Sequence, residues 1–189
     1  MKLAIMLSGT GTTYGAIANA INQGRIKAQV DIVIASKKTA GGIDIARDNG
    51  HEVKVINPRE QIYHDELNEL FTQRNIDLVV MAGFMHLWEL SPKWEERTIN
   101  IHPALIPAFC GQGMYGHHVH KAAIEKGVKF SGCTVHKVDR YYDHGKILEQ
   151  RMVSVESQDT PESLAAKVGL TEKSLLLHVI ANWEYYKST

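Results

Sequence analysis

The sequence predicts an α/β fold built on a mostly parallel sheet. Short runs rich in β-branched residues alternate with longer segments of helical period, which is typical of βαβ units. Two of the runs, Val30–Ala35 and Asp77–Ala82, are apolar on both faces, as strands covered by helices require. The length of 189 residues suits one domain with a core of its own. We therefore expect a single α/β domain over residues 1–189.

The first half of the chain alternates strand and helix. Strands are predicted at Leu3–Leu7, Val30–Ala35, Glu52–Ile56, Asp77–Ala82 and Thr98–His102. Helices are predicted at Thr13–Gln23, Gly42–Gly50, His64–Arg74 and Ser91–Glu96. In an open sheet of this kind, ligands bind outside the carboxyl ends of the strands. Residues 1–100 and 101–189 are expected to form two halves of one domain.

The second half departs from this alternation. After a predicted helix at Met114–Lys126, two strands, Ser131–Val138 and Ile147–Val155, follow one another directly. The turn Asp139–Gly145 separates them, which predicts a hairpin or a mixed edge of the sheet.

A final helix is predicted from Thr160. Thr160-Pro161-Glu162 supplies an N-cap, a proline at the first helical position and an early acidic residue. Gly169 is a candidate kink within it. The predicted core face of this helix consists of Leu164, Val168, Leu175, Val179 and Trp183.

Composition argues against several classes of protein. Lysine plus arginine equals aspartate plus glutamate at 21 each, so a basic surplus for binding nucleic acid is missing. No run approaches the roughly 18 apolar residues of a membrane helix, and the short apolar start does not resemble a signal peptide. Cys110 and Cys133 are too few for a disulfide framework and lack an activating motif. We expect a cytoplasmic protein that acts on small molecules, without nucleic-acid or membrane partners.

The turn after the first strand resembles a phosphate site. It reads Ser8-Gly9-Thr10-Gly11-Thr12-Thr13, with two glycines that let backbone amides approach a ligand at a helix N-terminus. Tyr14 replaces the third glycine of a dinucleotide fingerprint, and the lysine of a nucleoside-triphosphate loop is missing. A phosphate monoester therefore fits better than NAD or ATP. The alternative is a tight structural turn in which Thr13 caps the helix.

Polar residues at the fifth strand suggest acyl-transfer chemistry. Asn100 and His102 lie on one side of the strand, and Pro103 ends it. Asn100 can donate to a developing oxyanion while His102 moves a proton. If Asp143 reaches His102 from its turn, it raises the pKa of the imidazole and keeps it charged. A polar strand end and an Asp that bonds its own turn are the alternatives.

The histidines of Gly116-His117-His118-Val119-His120 raise the question of a metal site. His117 and His120 are three residues apart on a predicted helix. No Cys, Asp or Glu stands at ligand spacing beside them. We expect a polar helix face and no metal.

Six segments, in order along nearly the whole chain, resemble the phosphoribosylglycinamide formyltransferase family, the folate-dependent enzymes of purine synthesis. They are Ser8–Thr13, Ala82–Met85, Asn100–Pro107, Ser131–Val138, Asp143–Gly145 and Asp159–Ser163. The resemblance implies a Rossmann-like, doubly wound sheet with its site at the strand ends. It also implies transfer of a formyl group from 10-formyltetrahydrofolate to the amine of glycinamide ribonucleotide, and it leaves a homodimer open.

The same resemblance assigns residues to roles. Asn100, His102 and Asp143 match the catalytic positions. Gly11, Thr12 and Thr13 match the acceptor phosphate loop, and Glu172 matches a contact to the ribose hydroxyls. The matches to the folate-binding positions are Met85, His86, Leu87, Trp88, Asn100 and Arg59. The chain differs from the family pattern at His86, where arginine is frequent, and at Gly111–Gly116, which looks like an insertion.

Other functions remain open from the sequence. Methionyl-tRNA formyltransferases share the Asn-x-His-Pro segment but carry a further domain and a basic surface. Formyltetrahydrofolate hydrolases share the three catalytic residues, and sugar-nucleotide formyltransferases are a third relative. A non-catalytic folate- or phosphate-binding protein would not need Asn100, His102 and Asp143 together.

Overall fold

A computed structural model describes residues 1–188 of the chain. The chain divides into two compact units, the first Met1–Asn100 and the second beginning at Ile101. Strand β5, Thr98–His102, runs across this boundary. The predicted roles of residues 1–100 and 101–189 as acceptor and folate halves stay a prediction.

The first unit is a parallel sheet with connecting helices. Its strands are β1 (Lys2–Leu7), β2 (Gln29–Ala35), β3 (Val53–Val55), β4 (Leu78–Met81) and the start of β5. Its helices are α1 (Thr12–Asn22), α2 (Gly42–Asp48), α3 (Tyr63–Gln73) and α4 (Pro92–Glu95). The strand order is β3-β2-β1-β4-β5, and neighbouring strands are parallel. The order therefore reverses between β1 and β4.

The core of the first unit lies on the central strands. Residues 3–7 of β1 and all of β4 are fully buried, because helices supply apolar side chains to the sheet. Helix α3 contributes Tyr63, Leu67 and Phe71, and Phe71 meets Trp94 of α4 edge to face at 5.7 Å.

The second unit pairs an antiparallel hairpin with two longer helices. Helix α5 (His117–Lys126) precedes β6 (Phe130–Lys137) and β7 (Ile147–Ser154), which pair antiparallel. Helix α6 (Pro161–Ala181) and the short α7 (Trp183–Tyr186) complete it. The predicted helix start is present as a capping box between Thr160 and Ser163.

The structure confirms the predicted fold class, an α/β protein whose sheet is mostly parallel with antiparallel C-terminal strands. Most observed boundaries lie within two residues of the predicted ones, and two features differ more. Helix α5 starts at His117 instead of Met114, because Gly113 and Gly116 adopt positive φ angles of 85° and 51° that a helix cannot contain. Helix α6 continues through Gly169, and the break comes at Asn182. Over residues 1–188, no helix is long and apolar enough to cross a membrane.

Candidate active site

In the first unit, Ser8 ties three loops together at the carboxyl edge of the sheet. Its side-chain oxygen accepts hydrogen bonds from the Ser36 hydroxyl at 2.8 Å and from the Met85 backbone N–H at 3.1 Å. The Ser8 backbone N–H also donates to the carbonyl of Gly83 at 3.0 Å. Because these contacts are shielded from water, the loops after β1, β2 and β4 keep fixed positions.

The turn after β1 has the geometry of an anion site. Gly11 is the N-cap of α1 in the left-handed conformation, with φ 77°, and no side chain caps the helix. The first turn of α1 contains no acidic residue. Thr12 is exposed and Thr13 is half-buried. Because no side chain caps α1, Thr13 is not the helix cap that the alternative interpretation of this turn required. Helix N–H groups without side-chain partners and the positive helix end favour a phosphate here.

Packing also requires glycine at position 11. A Cβ there would collide with the backbone of Gly42, and the positive φ disfavours any L side chain. Replacing Gly11 would therefore disturb the fold as well as ligand approach. The exposed Thr12 is the better position for testing phosphate binding.

Parallel pairing brings this turn and Asn100 to one edge of the first unit. Met6 of β1 is level with Met81 of β4, and Met81 with Asn100 of β5. Two strand spacings separate β1 from β5, which is about 10 Å. An acceptor bound at the turn can thus extend along the edge toward Asn100.

Basic side chains gather beside the predicted folate segment. Burial lowers the pKa of His86, and the positive charges of Arg59 and Lys37 lower it further. Arg59 is exposed in the turn after β3. The three side chains therefore lie close enough for their charges to interact, and a role of Arg59 and His86 in folate binding stays a prediction.

The predicted folate segment is only partly accessible. Met85 and Leu87 are 47% and 37% exposed, and His86 is exposed between them. The Trp88 side chain is buried instead, stacking edge to face on Phe71 at 5.3 Å. Its indole N–H donates to the carbonyl of His64 at 3.3 Å. Trp88 as a whole residue is 1% exposed, so it belongs to the core and, unlike Met85 and Leu87, offers no surface to a ligand.

In the second unit, the structure brings Asp143 to His102. His102 Nδ1 lies 3.4 Å from Asp143 Oδ2, and both side chains are buried. On the other side of the ring, Nε2 lies 2.8 Å from the carbonyl oxygen of Phe109. Both ring nitrogens thus face acceptors, and a doubly protonated ring would donate to each.

Asp143 is itself held from several sides. It adopts a left-handed conformation with φ 53°, and its Oδ2 accepts from the Gly111 N–H at 3.0 Å. Its Oδ1 lies 3.7 Å from His136 Nε2. Burial raises the pKa of Asp143, but the contacts from His136, His102 and Gly111 outweigh burial, and the net pKa is lowered. Asp143 is therefore a carboxylate at neutral pH.

The pKa of His102 corrects one expectation. Burial lowers it, and the opposing influence of Asp143 and of the Phe109 carbonyl does not outweigh burial. Asp143 does raise this pKa, as predicted, but the net direction is down, because the ring is 3% exposed. His102 is therefore mainly neutral at neutral pH, and it is placed to take up a proton when negative charge arrives beside it.

The chain is similar to proteins whose family is known. The formyl transferase family model matches residues 1–180. This chain belongs to the formyl transferase family. Solved structures from Symbiobacterium toebii (glycinamide ribonucleotide transformylase 1) and Bacillus halodurans (phosphoribosylglycinamide formyltransferase) are each 32% identical with TM-scores of 0.87. The matches cover 96% and 97% of this chain, and 86% and 95% of those chains.

Plant relatives are longer. The chloroplastic phosphoribosylglycinamide formyltransferases of Arabidopsis thaliana and Vigna unguiculata are each 39% identical over 95% of this chain. The chain spans only 64% and 59% of the length of those proteins. The resemblance to the phosphoribosylglycinamide formyltransferases within the formyl transferase family is thereby confirmed.

Glu172, the predicted ribose contact of this formyl transferase, lies on α6 in the second unit. It is half-buried, and burial raises its pKa to about 7. Cys133 of β6 lies close to it, and burial followed by the charge of Glu172 raises the pKa of that thiol to about 12. Cys133 is thus an unreactive packing residue, whereas Glu172 can change charge near neutrality.

The histidine segment does not form a metal site. His117 is exposed and lies 3.5 Å from Glu162, whereas His120 is buried and its Nδ1 has no hydrogen-bond partner. Within residues 1–188, no group of three or more His, Cys, Asp or Glu side chains is placed to hold a metal ion. That the formyl transferase needs no metal stays a prediction.

Sequence reasoning missed the residues that hold the His102–Asp143 pair. His136 lies in the family-like segment Ser131–Val138, but the sequence predicts no role for it. Phe109 and Gly111 act through their main chains. Strand alternation places His136 on the same face as Thr134, which was a usable signal. Main-chain contacts leave no trace in side-chain identity.

Proposed function

We propose that this chain transfers the formyl group of 10-formyltetrahydrofolate to the amine of glycinamide ribonucleotide, a step of de novo purine synthesis. The observation that carries the proposal is the buried contact of Asp143 with His102, which lies two residues after Asn100 on β5. A binding protein would gain nothing from a desolvated carboxylate beside an imidazole, since burying charge is costly. Family membership supports formyl transfer in particular.

The proposed reaction begins when the neutral acceptor amine attacks the formyl carbon. A carbon–nitrogen bond forms, the formyl oxygen gains negative charge and the nitrogen becomes positive. The amine then loses a proton, the bond to the folate nitrogen breaks, and that nitrogen takes up a proton. Asn100 donates its side-chain N–H to the negative oxygen, and His102 stabilises it from two residues along β5.

Asp143 serves this sequence as charge partner and proton carrier. As a carboxylate it accepts only, so it cannot bind the oxyanion directly. It stabilises the imidazolium of His102 when the oxyanion forms, which raises the pKa of a ring that rests mainly neutral. Through water, it passes the proton of the amine toward the departing folate nitrogen.

The two substrates divide between different groups of residues. We assign the acceptor phosphate to the amides of Gly11, Thr12 and Thr13, whose helix end lacks a side-chain cap. Glu172 accepts from the ribose hydroxyls in its ionised form. The phosphate contacts fall within residues 1–100, as the predicted acceptor half requires. Glu172 and the folate matches below do not follow the predicted division into an acceptor half, 1–100, and a folate half, 101–189.

The folate contacts involve exposed apolar and basic groups. Met85 and Leu87 offer apolar surface to the pterin ring, and Asn100 lies at the reacting end. Arg59 and His86 attract the anionic tail of the folate, although the lowered pKa of His86 leaves it less charged than an arginine. Trp88, buried against Phe71, supports this segment from the core and does not itself offer surface to the folate.

Location and partners follow from the same proposal. We propose a cytoplasmic enzyme that acts on two small molecules, needs no metal, and binds neither nucleic acid nor membrane, with a homodimer left open. The plant relatives are named chloroplastic, so location varies within the family.

The test combines purified protein, glycinamide ribonucleotide and 10-formyltetrahydrofolate, and it follows loss of the formyl donor. We expect loss that requires the ribonucleotide and that falls at least 100-fold in Asn100→Ala, since one oxyanion donor contributes about 10²–10³ in kcat. His178→Gln, an exposed change on α6, is the matched control. Loss without the ribonucleotide would indicate a hydrolase, and no loss would indicate a binding protein; either outcome overturns the proposal.

A further inference from the structure

Residues 104–111, which we call the bracket segment, join His102 to Asp143 through main-chain groups. The Phe109 carbonyl, at 2.8 Å, accepts from His102 Nε2, and the Gly111 N–H donates to Asp143 Oδ2 at 3.0 Å. Phe109 adopts a positive φ of 50°, so the segment bends sharply between these two contacts. Both members of the pair therefore depend on where this segment lies.

Two side chains of the hairpin form hydrogen bonds with the start of the bracket segment. The Thr134 hydroxyl donates to the Ala104 carbonyl at 2.7 Å and accepts from the Ile106 N–H at 3.1 Å. Gln150 lies directly opposite Thr134 on β7, and its amide nitrogen donates to Thr134 at 2.9 Å and to the Ile106 carbonyl at 3.0 Å. These four bonds form a closed group.

The Thr134 hydroxyl and the Gln150 amide nitrogen use all their hydrogen-bonding sites in these four bonds. A threonine hydroxyl has one donor and two acceptor sites, and all three are occupied. The amide nitrogen of Gln150 has two N–H groups, and both find acceptors. Thr134 is fully buried, so loss of either partner would leave unpaired polar atoms in the interior.

We propose that Thr134 and Gln150 are positioning residues, which hold the bracket segment so that Phe109 and Gly111 orient His102 and Asp143 for reaction. Their side chains bond to each other and to Ala104 and Ile106, so each acts through the main chain of residues 104–111. The effect of Thr134 and Gln150 on catalysis rests on the proposed function. Their effect on the position of the bracket segment does not.

Thr134→Val tests the link, because a methyl group of similar size replaces the hydroxyl and removes three of the four bonds. The readout without substrate is titration of His102 by NMR. Burial and His136 lower the pKa of this ring, and Asp143 and the Phe109 carbonyl raise it. The charge of His102 in turn lowers the pKa of His120. Weakening the carbonyl contact should therefore lower the pKa of His102 by about one unit.

The kinetic readout separates positioning from binding. A shift of the bracket segment should lower kcat by about 10–100-fold, since misplacement of reacting groups by 1 Å costs up to about 100-fold. KM for both substrates should change little. Thr134→Ser retains the hydroxyl and should restore both the titration of His102 and kcat. Gln150→Glu keeps the shape without N–H donors and should lower both, which provides a second route if Thr134→Val fails to fold.

Val135→Ala is the matched control. Val135 is buried on the same strand but faces the other side of the hairpin, so its truncation lowers Tm without touching the four bonds. We expect His102 to titrate normally in this variant. If Thr134→Val and Gln150→Glu also leave the titration of His102 unchanged, the positioning proposal is overturned. If they shift the titration but leave kcat intact, the link to the bracket segment stands and its proposed role in catalysis is overturned. Failure of the proposed function shows separately, as no formyl transfer by the parent protein.

Discussion

Asp143→Asn is the substitution that isolates the charge of the carboxylate. The asparagine has nearly the same shape, and its oxygen can still accept from the Gly111 N–H. That oxygen takes the Oδ2 position, which also faces His102 Nδ1, and the amide nitrogen takes the Oδ1 position beside His136 Nε2. The variant therefore keeps the shape of the side chain but removes the negative charge that stabilises a charged His102.

The size of the effect follows from the distance. Unit charges 3.4 Å apart, as for His102 Nδ1 and Asp143 Oδ2, interact by about 5 kcal/mol at an effective dielectric constant of 20. Part of this is offset by the amide that replaces the carboxylate and by the remaining contacts. Opposite charges at this range shift a pKa by about 1–3 units. The pKa of His102, already lowered by burial, should fall by that amount.

The assay is NMR titration of His102 together with kcat measured against pH. An imidazolium that forms less readily stabilises the oxyanion less, so kcat should fall by about 10²–10³ while KM changes little. Because protonation of His102 then requires lower pH, the activity that remains should increase as pH falls. The double variant Asn100→Ala, Asp143→Asn should lose less than the product of the single losses, since the residues act together.

Asp139→Asn is the matched control from the same turn. Asp139 pairs with the exposed His144 at 2.6 Å and accepts from the Tyr141 N–H at 2.9 Å. We expect a normal rate and a normal titration of His102. The reasoning would be refuted if Asp143→Asn kept both the rate and the titration of the parent. Asp139 and His144 would then be the next candidates.

Further predictions concern substrates and stability. As the pKa of Glu172 is about 7, KM for the acceptor should fall as pH rises from 6 to 8, and Glu172→Gln should abolish this dependence in acceptor titrations. Thr12→Val removes an exposed hydroxyl beside the amides that bind the phosphate, so it should raise KM for the acceptor in steady-state kinetics and leave KM for the folate unchanged. His86→Arg should lower KM for the folate at pH 7.5 by up to about fivefold, the range of exposed ion pairs. Contacts from Lys167 and Ser163 lower the pKa of Asp159 to about 2, so its stabilisation is complete above about pH 4 and is lost as pH falls toward 2. Asp159→Asn should therefore lower Tm at pH 7 and leave it unchanged at pH 2; an equal loss at both pH values would contradict the assignment.

Local sequence patterns were sufficient to predict most of the strands and helices. Strand β5 was predicted with its observed bounds, Thr98–His102, and the hairpin of β6 and β7 was expected from two adjacent β-branched runs. Apolar periodicity and turn residues act over a few positions, so they are visible in one dimension. The start of α5 was misplaced, because positive φ angles at Gly113 and Gly116 belong to a loop whose conformation depends on its surroundings.

The sequence by itself therefore determined the α/β class, the order of elements, the family resemblance and the identity of the candidate residues. Only the tertiary structure decided that Asp143 meets His102, that His136 and Gly111 hold Asp143, and that Trp88 turns into the core. It also decided the net pKa of His102, since burial outweighs the carboxylate there. The physical reason is that desolvation, and contacts between residues far apart in the sequence such as His102 and Asp143, arise from the packing of distant segments. No local pattern of residues contains that information.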